Sequence, residues 1–298
     1  MNAHEGMRMN GATRIAAALM ACVAFNVAAA TPVPSGKWSY IWTDAKGHPD
    51  RPMRVYTYRP HACDTKCPIV FVMAGLKRDA SAYRDYWELR ADRYKVLVIA
   101  PEFTRELWPK SASYNQGEVG KEADREKWAF STIEHLFDEM RDGQATYALF
   151  GHSAGAQFAQ RMALFRPDSR ASVIVAANPG WYTMPEWRKE KTADPFPYSL
   201  VGSPAGANEL RQALSRRFVL LVGENDDNPD DENLFNSDAA KRQGASRVDR
   251  AESFFKAATA AAADLGVPLK WELVEVPEGA HNGDAMSKIG ADAMLKKP

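Results

Sequence analysis

The sequence predicts an α/β fold with an open, mostly parallel sheet and helices on both faces. Two observations carry this. Strand-like apolar runs occur at Pro68–Met73, Tyr94–Ala100, Tyr147–Phe150, Ser172–Ala177, Phe218–Val222 and Leu269–Val276. Runs that are apolar on both faces, rather than alternating, mark strands buried inside a parallel sheet. Helical patterns over 79–92, 122–141, 154–165, 249–264 and 283–296 fall between and after them, so strand and helix alternate. A chain of 298 residues, 45% hydrophobic and 26% charged, has enough apolar material for one large core. No Pro/Ser/Gly-rich linker divides it, so residues 31–298 read as one domain.

The chain begins with a targeting pattern. Arg8 and Arg14 precede an apolar stretch, Ile15–Val27, that is too short to span a bilayer. Small residues at Ala28–Ala30 follow, and a signal peptide cut near Ala30 is expected, with the mature chain periplasmic or secreted. Lys+Arg and Asp+Glu are both 38, so there is no basic excess of the kind that nucleic-acid binding uses. No membrane span is expected in the mature chain. Cys63 and Cys67 stand four apart in CDTKC; export favours a disulfide between them, and two ligands are too few for zinc. Trp38–Tyr58, interrupted by Gly47, Pro49 and Pro52, reads as short strand pieces at an antiparallel edge. Residues 181–217 are long for a connection between core strands, and fit either a lid or an ordinary crossover.

The third apolar run ends in Gly151-His152-Ser153-Ala154-Gly155, and a helical pattern begins at Ala154. A serine placed between a strand and a helix in a tight turn has its hydroxyl raised clear of the backbone. Glycines two before and two after relieve the crowding of such a turn. The free N–H groups of the helix start face the same side, which places the Ala154 N–H to hold an oxyanion.

A serine nucleophile needs a base, and the base needs an acid that orients it. In open α/β sheets the site lies beyond the carboxyl ends of the strands. His281 follows the last strand in a glycine-flanked loop and is the expected base. His135 sits mid-helix; His152 lies in the elbow itself, too close in the chain to be the base, and is expected to face substrate. Asp226 follows the Phe218–Val222 strand and is the expected acid, with Asp227 and Glu224 as alternatives. The order serine, acid, histidine suits a serine hydrolase on this kind of sheet. The second oxyanion donor is expected from the loop after Met73, at the Leu76 N–H. Trp181 and Tyr182, which follow the fourth run, fit either an aromatic wall for substrate or packing under the crossover.

The stretches VMAGLKRDASAYRDYW, VIAPEF, FGHSAGAQFAQRMALF, AANPGWYTM, LLVGENDDNPDDENL and LVEVPEGAHN resemble those of the α/β-hydrolase superfamily. Within it the chain looks like the secreted branch around polyhydroxybutyrate depolymerases and feruloyl-esterase-like hydrolases. The resemblance implies a Ser153/Asp226/His281 triad, backbone donors at Leu76 and Ala154, and ester hydrolysis through an acyl-enzyme without a cofactor. Aryl esters, short hydroxyalkanoate oligomers and simple acyl esters all fit as substrates. An amidase or acyltransferase on the same triad is the closest rival, and a non-catalytic binding member of the fold is a rival from another class. Many relatives carry His-Gly in the oxyanion loop where this chain has Ala74-Gly75, which leaves open what braces that loop. Asp226-x-Asn228-x-Asp230 has the spacing of a calcium-loop start but lacks its glycine and glutamate, so a solvated acidic loop is expected there.

Overall fold

The computed structural model describes residues 33–63, 66–192 and 194–296; the leader expected over residues 1–30 lies outside them. The strands are β1 (Gly36–Asp44), β2 (His48–Arg59), β3 (Ile69–Met73), β4 (Leu97–Pro101), β5 (Tyr147–His152), β6 (Ala171–Ala177), β7 (Phe218–Gly223) and β8 (Trp271–Val276). The helices are α1 (Ala80–Tyr86), α2 (Glu88–Tyr94), α3 (Lys110–Ser113), α4 (Ala129–Met140), α5 (Ala154–Phe165), α6 (Ala207–Leu214), α7 (Asp238–Gln243), α8 (Arg247–Leu265) and α9 (Gly283–Leu295). Among the described residues the strands form one sheet in the order β1-β2-β4-β3-β5-β6-β7-β8. β1 pairs antiparallel with β2, and β2 with β4; all later pairings are parallel.

Strand alternation builds two cores from the same runs. Ile69, Phe71 and Met73 of β3 and Leu149 of β5 pack with Phe130, Phe158 and Phe254 on one face. Val70, Val72, Ala148 and Phe150 pack with Trp87, Val98 and Met286 on the other. All five residues of β3 and all five of β4 are buried, as a central parallel position requires.

Several boundaries differ from the sequence expectation. Pro49 and Pro52 do not interrupt β2. They fall where the β1–β2 register shifts, between the Asp44–His48 and Trp42–Met53 pairs, and β4 pairs only with Val55–Tyr58 further along. Proline is tolerated at such irregular edge positions because no ladder donor is needed there. The helix expected over 79–92 divides at Trp87, whose fully buried ring packs on Phe150 at 5.3 Å. The helix expected from 122 begins at Ala129, after a 3-10 turn at Arg125–Lys127 and an extended Trp128. Within 181–217 the chain forms a second 3-10 turn and α6, the crossover helix that leads into β7. This segment is tied to α5 by Gln160 Nε2, which donates to Thr183 O (3.0 Å), and by Arg161 Nε, which donates to Thr183 Oγ1 (2.9 Å). Cys63 and Cys67 are joined as a disulfide, with Cα atoms 5.7 Å apart. Among the described residues no helix is long and apolar enough to cross a membrane.

Candidate active site

The β5–α5 junction is built by exclusion of side chains. A β-carbon on Gly151 would lie 2.1 Å from Gly155 O, and one on Gly155 would lie 2.1 Å from Met73 O. Only glycine lets strand and helix approach this closely. Ser153 adopts φ 55° and ψ −115°, a conformation that costs a non-glycine residue of order 1–3 kcal/mol. Its N–H still donates to Ala177 O (2.9 Å) on β6 and its C=O accepts from the Gln157 N–H (3.0 Å), so both neighbouring elements hold the turn.

Two other loops meet it. The loop after β8 brings His281 Nε2 to 3.0 Å from Ser153 Oγ, and the loop after β7 brings Asp226 Oδ2 to 2.7 Å from His281 Nδ1. Asp226 is the acid in this chain of hydrogen bonds. Asp227 is not part of it, and Glu224 instead accepts from the Glu278 N–H at 3.2 Å. Asn178 ties the loops together: its Oδ1 accepts from the Gly223 N–H (3.0 Å) and its Nδ2 donates to Ala280 O (3.1 Å). Asp226 is 4% exposed, and its second oxygen accepts from Arg247 Nη1 at 2.9 Å. Arg247 also donates to Asp231 Oδ1 (2.9 Å), so one buried guanidinium fixes the acid and draws in the acidic loop that follows it. Sequence reasoning missed Arg247; an arginine at a helix start carries no pattern that marks it as buried.

Leu76 lies at the mouth of the site, half-exposed, on the loop after β3. Four contacts hold this loop. Tyr114 Oη donates to Ala74 O (2.7 Å), the Arg78 N–H to Gly75 O (3.0 Å), and Arg105 Nη2 to Leu76 O (2.9 Å). The fourth is Tyr83. Its hydroxyl lies 2.7 Å from His152 Nδ1, the Gly75 N–H is directed at the same oxygen, and a β-carbon on Gly75 would fall 2.8 Å from it. Burial holds the His152 pKa well below the ordinary histidine value, with the nearby His281 and Arg247 adding to the effect. A neutral His152 accepts the Tyr83 proton at Nδ1 and carries its own at Nε2, which has no partner among the described residues. Tyr83 thus links the Ala74–Gly75 loop to His152 at the end of β5.

Two depressions flank Ser153. One, of about 270 Å³, is lined by Ser111, Asn115, Gln157, Trp181, Phe235 and Arg247. The other, of about 380 Å³, is lined by Tyr83, Tyr86, His152, His281, Lys77 and Asp79. Leu76 and Asn233 border both. Trp181 is therefore at the cavity wall, with the Arg161 guanidinium 4.1 Å from its ring centre. Tyr182 is not. Its ring is fully buried and stacks on Phe254 at 4.5 Å, while its N–H and C=O are bound by the Gln243 side chain at 2.9 and 2.8 Å. Only one of the two aromatics therefore faces the site. Among the described residues no cluster of three or more His, Cys, Asp or Glu could hold a metal ion.

No protein-family profile matches the sequence, and no curated protein matches it. Solved structures do. The chain is similar to poly(aspartic acid) hydrolase-1 from Sphingomonas sp. KT-1, with 33% identity and TM-score 0.82 over 89% of this chain and 100% of that one. It is similar to the poly(3-hydroxybutyrate) depolymerase LpqC from Bordetella parapertussis, with 34% identity and TM-score 0.79 over 87% and 89% of the two chains. An S-formylglutathione hydrolase from Agrobacterium tumefaciens shares the fold at 15% identity, with TM-score 0.54 over 88% of this chain and 95% of that one. With its sheet order, its strained serine turn and two hydrolases matched at about a third identity over most of their length, the chain belongs to the α/β-hydrolase superfamily.

Proposed function

We propose that this hydrolase cleaves carboxylic esters through an acyl-enzyme, with Ser153 as nucleophile. The reading is carried by the continuous hydrogen-bonded path from Ser153 Oγ through His281 to Asp226, at 3.0 and 2.7 Å. His281 Nε2 takes the serine proton as Oγ attacks the ester carbonyl, and returns it to the leaving alcohol. Asp226 accepts from His281 Nδ1–H, fixes that tautomer and stabilises the imidazolium, while Arg247 holds the carboxylate in place. The Leu76 and Ala154 N–H groups stabilise the tetrahedral oxyanion. Water then repeats the cycle on the acyl-enzyme and releases the acid. No step calls for a cofactor.

The substrate is a small or oligomeric ester. The likeness to a poly(3-hydroxybutyrate) depolymerase supports oligoesters. The likeness to a poly(aspartic acid) hydrolase favours amide cleavage as the second reading, since that polymer is joined by amide bonds. Residues 1–30 are read as an export leader and residues 31–298 as the catalytic domain, which suits the Cys63–Cys67 disulfide.

Fluorophosphonate labelling followed by peptide mapping tests the nucleophile, with modification expected at Ser153. Ser153→Ala is expected to lower kcat on an activated ester by at least ~10⁴-fold. Full turnover by that variant, or label on another residue, overturns the assignment.

A further inference from the structure

The smaller depression has a floor that ester cleavage alone does not explain. Arg161 is fully buried beneath it, and no carboxylate among the described residues pairs with it. Its Nη1 donates to Asn115 O (3.1 Å), Gln157 O (3.3 Å) and Gln157 Oε1 (3.4 Å), and its Nη2 has no partner among the described residues. A guanidinium has donors only, so the Gln157 atom that faces it must be the oxygen. The Asn115 atom that meets that oxygen must in turn be the amide nitrogen, at 3.1 Å. Gln157 is thereby locked in one orientation, with Nε2 turned away from Arg161. Nε2 makes no hydrogen bond to a described residue, and Gln157 lines the cavity together with Ser153. A β-carbon on Gly180 would lie 3.1 Å from this nitrogen, so the absence of a side chain there leaves it room.

We infer that Gln157 Nε2, oriented by Arg161 and Asn115, is a donor subsite for a second carbonyl oxygen carried on the acyl portion of the substrate. The preferred acyl group is then one unit of a chain that repeats a carbonyl, or the monoester of a dicarboxylic acid, rather than a plain aliphatic acid. The argument rests on the proposed reading of Ser153 as the acylated residue. An aliphatic acyl group leaves Nε2 desolvated and unpaired, whereas a carbonyl satisfies it. That asymmetry is worth about a tenfold difference in kcat/KM, because a buried donor left unpaired carries its full desolvation penalty.

The test compares methyl 4-nitrophenyl succinate with 4-nitrophenyl hexanoate, which match in chain length and leaving group but differ in the second carbonyl. The readout is the ratio of the two kcat/KM values, in which the amount of active enzyme cancels. The wild-type ratio is expected to exceed that of Gln157→Met about tenfold. Gly180→Ala, whose methyl presses on Nε2 without removing it, is expected to lower the ratio as well and serves if Gln157→Met does not fold. Equal ratios in wild type and a folded variant overturn the subsite while leaving the Ser153 reading intact. Loss of both activities' dependence on Ser153 overturns the underlying reading instead.

Discussion

Replacing Tyr83 with phenylalanine separates bracing of the oxyanion loop from the shape of the site. The ring stays, so the wall it shares with Tyr86 (centroids 5.3 Å apart) is kept. What is lost is the hydroxyl between the Gly75 N–H and His152 Nδ1, 2.7 Å from the latter. His152 is 4% exposed, so its Nδ1 is left without a partner that water can easily replace. An unsatisfied buried acceptor costs about 1–3 kcal/mol, and the cheapest relaxation is a shift of the Gly75–Leu76 loop. Complete loss of one oxyanion donor lowers kcat about 10²–10³-fold. Here Tyr114, Arg78 and Arg105 still hold the loop's carbonyls at 2.7, 3.0 and 2.9 Å, so displacement is partial. The expected fall in kcat is therefore ~10–100-fold, below the loss caused by removing a donor outright. KM should change little, because an oxyanion donor, the role proposed for the Leu76 N–H, bonds the oxyanion more strongly than the ground-state carbonyl. Steady-state kinetics on an activated ester, with thermal unfolding measured alongside, gives the answer. A Tyr83→Phe enzyme with unchanged kcat, or one altered in KM alone, refutes the bracing role.

Other perturbations follow from the same contacts. Arg247→Met removes one partner of an ion pair whose members are 1% and 4% exposed; it should cost about 3–5 kcal/mol in denaturant unfolding and reduce kcat by freeing Asp226. Gly155→Ala drives a methyl into Met73 O and should destabilise the protein by at least ~1–3 kcal/mol, with activity lost in the fraction that stays folded. The buried Asp44–His135 pair predicts a pH signature. His135 bonds Asp44 Oδ1 at 2.8 Å and Glu126 Oε2 at 2.9 Å; burial lowers its pKa, but these two carboxylates outweigh burial and raise it above 6.5. Burial likewise raises the Asp44 pKa, and the bonds from His135 and the Gly47 N–H outweigh it and hold the pKa below 3.8. The His135 contribution is therefore complete below pH 6.5 and fades as pH rises through its raised folded pKa; the Asp44 contribution is complete above pH 3.8 and fades as pH falls through its lowered one. The stability difference between wild type and His135→Leu should peak near pH 5 and shrink in alkali; a difference that grows with pH contradicts the pairing.

The residues legible in the sequence are those whose chemistry is tied to a backbone event. Ser153 was marked by the two glycines that a strand-to-helix contact requires, and Asp226 and His281 by the strand ends they follow. The acid stood among three candidates in one loop; what separates Asp226 from Asp227 and Glu224 is which side chain faces inward, and a short irregular turn has no periodicity to reveal that. Trp181 and Tyr182 failed to separate for the same reason, and only Trp181 reaches the cavity. Tyr83 and Gln157 lay in plain helical patterns and Arg247 just ahead of one, where an arginine, a tyrosine and a glutamine read as ordinary surface residues. Their burial comes from tertiary packing against loops distant in sequence, such as the 69 residues that separate Tyr83 from His152. Prolines 49 and 52 misled in the opposite direction, because the irregular edge pairing that tolerates them has no sequence mark.

Two buried arginines, Arg161 on α5 and Arg247 on α8, show how the fold divides the work around Ser153. Arg247 meets two carboxylates, and its charge is taken up in holding Asp226 and Asp231. Arg161 meets only amide and hydroxyl oxygens and the face of Trp181. An unpaired cation in the interior costs several kcal/mol, and an apolar side chain of similar volume would pack there more cheaply. Burial lowers the Arg161 pKa to about 9, which still leaves it charged at neutral pH. Its field is thus unneutralised by any described carboxylate partner, and the path out of the core runs through the Gln157 amide to the cavity wall. Around Asp226 the buried charges are matched, which fixes the groups proposed to transfer the proton; around Gln157 one is left over, which suits that wall to the proposed donor role.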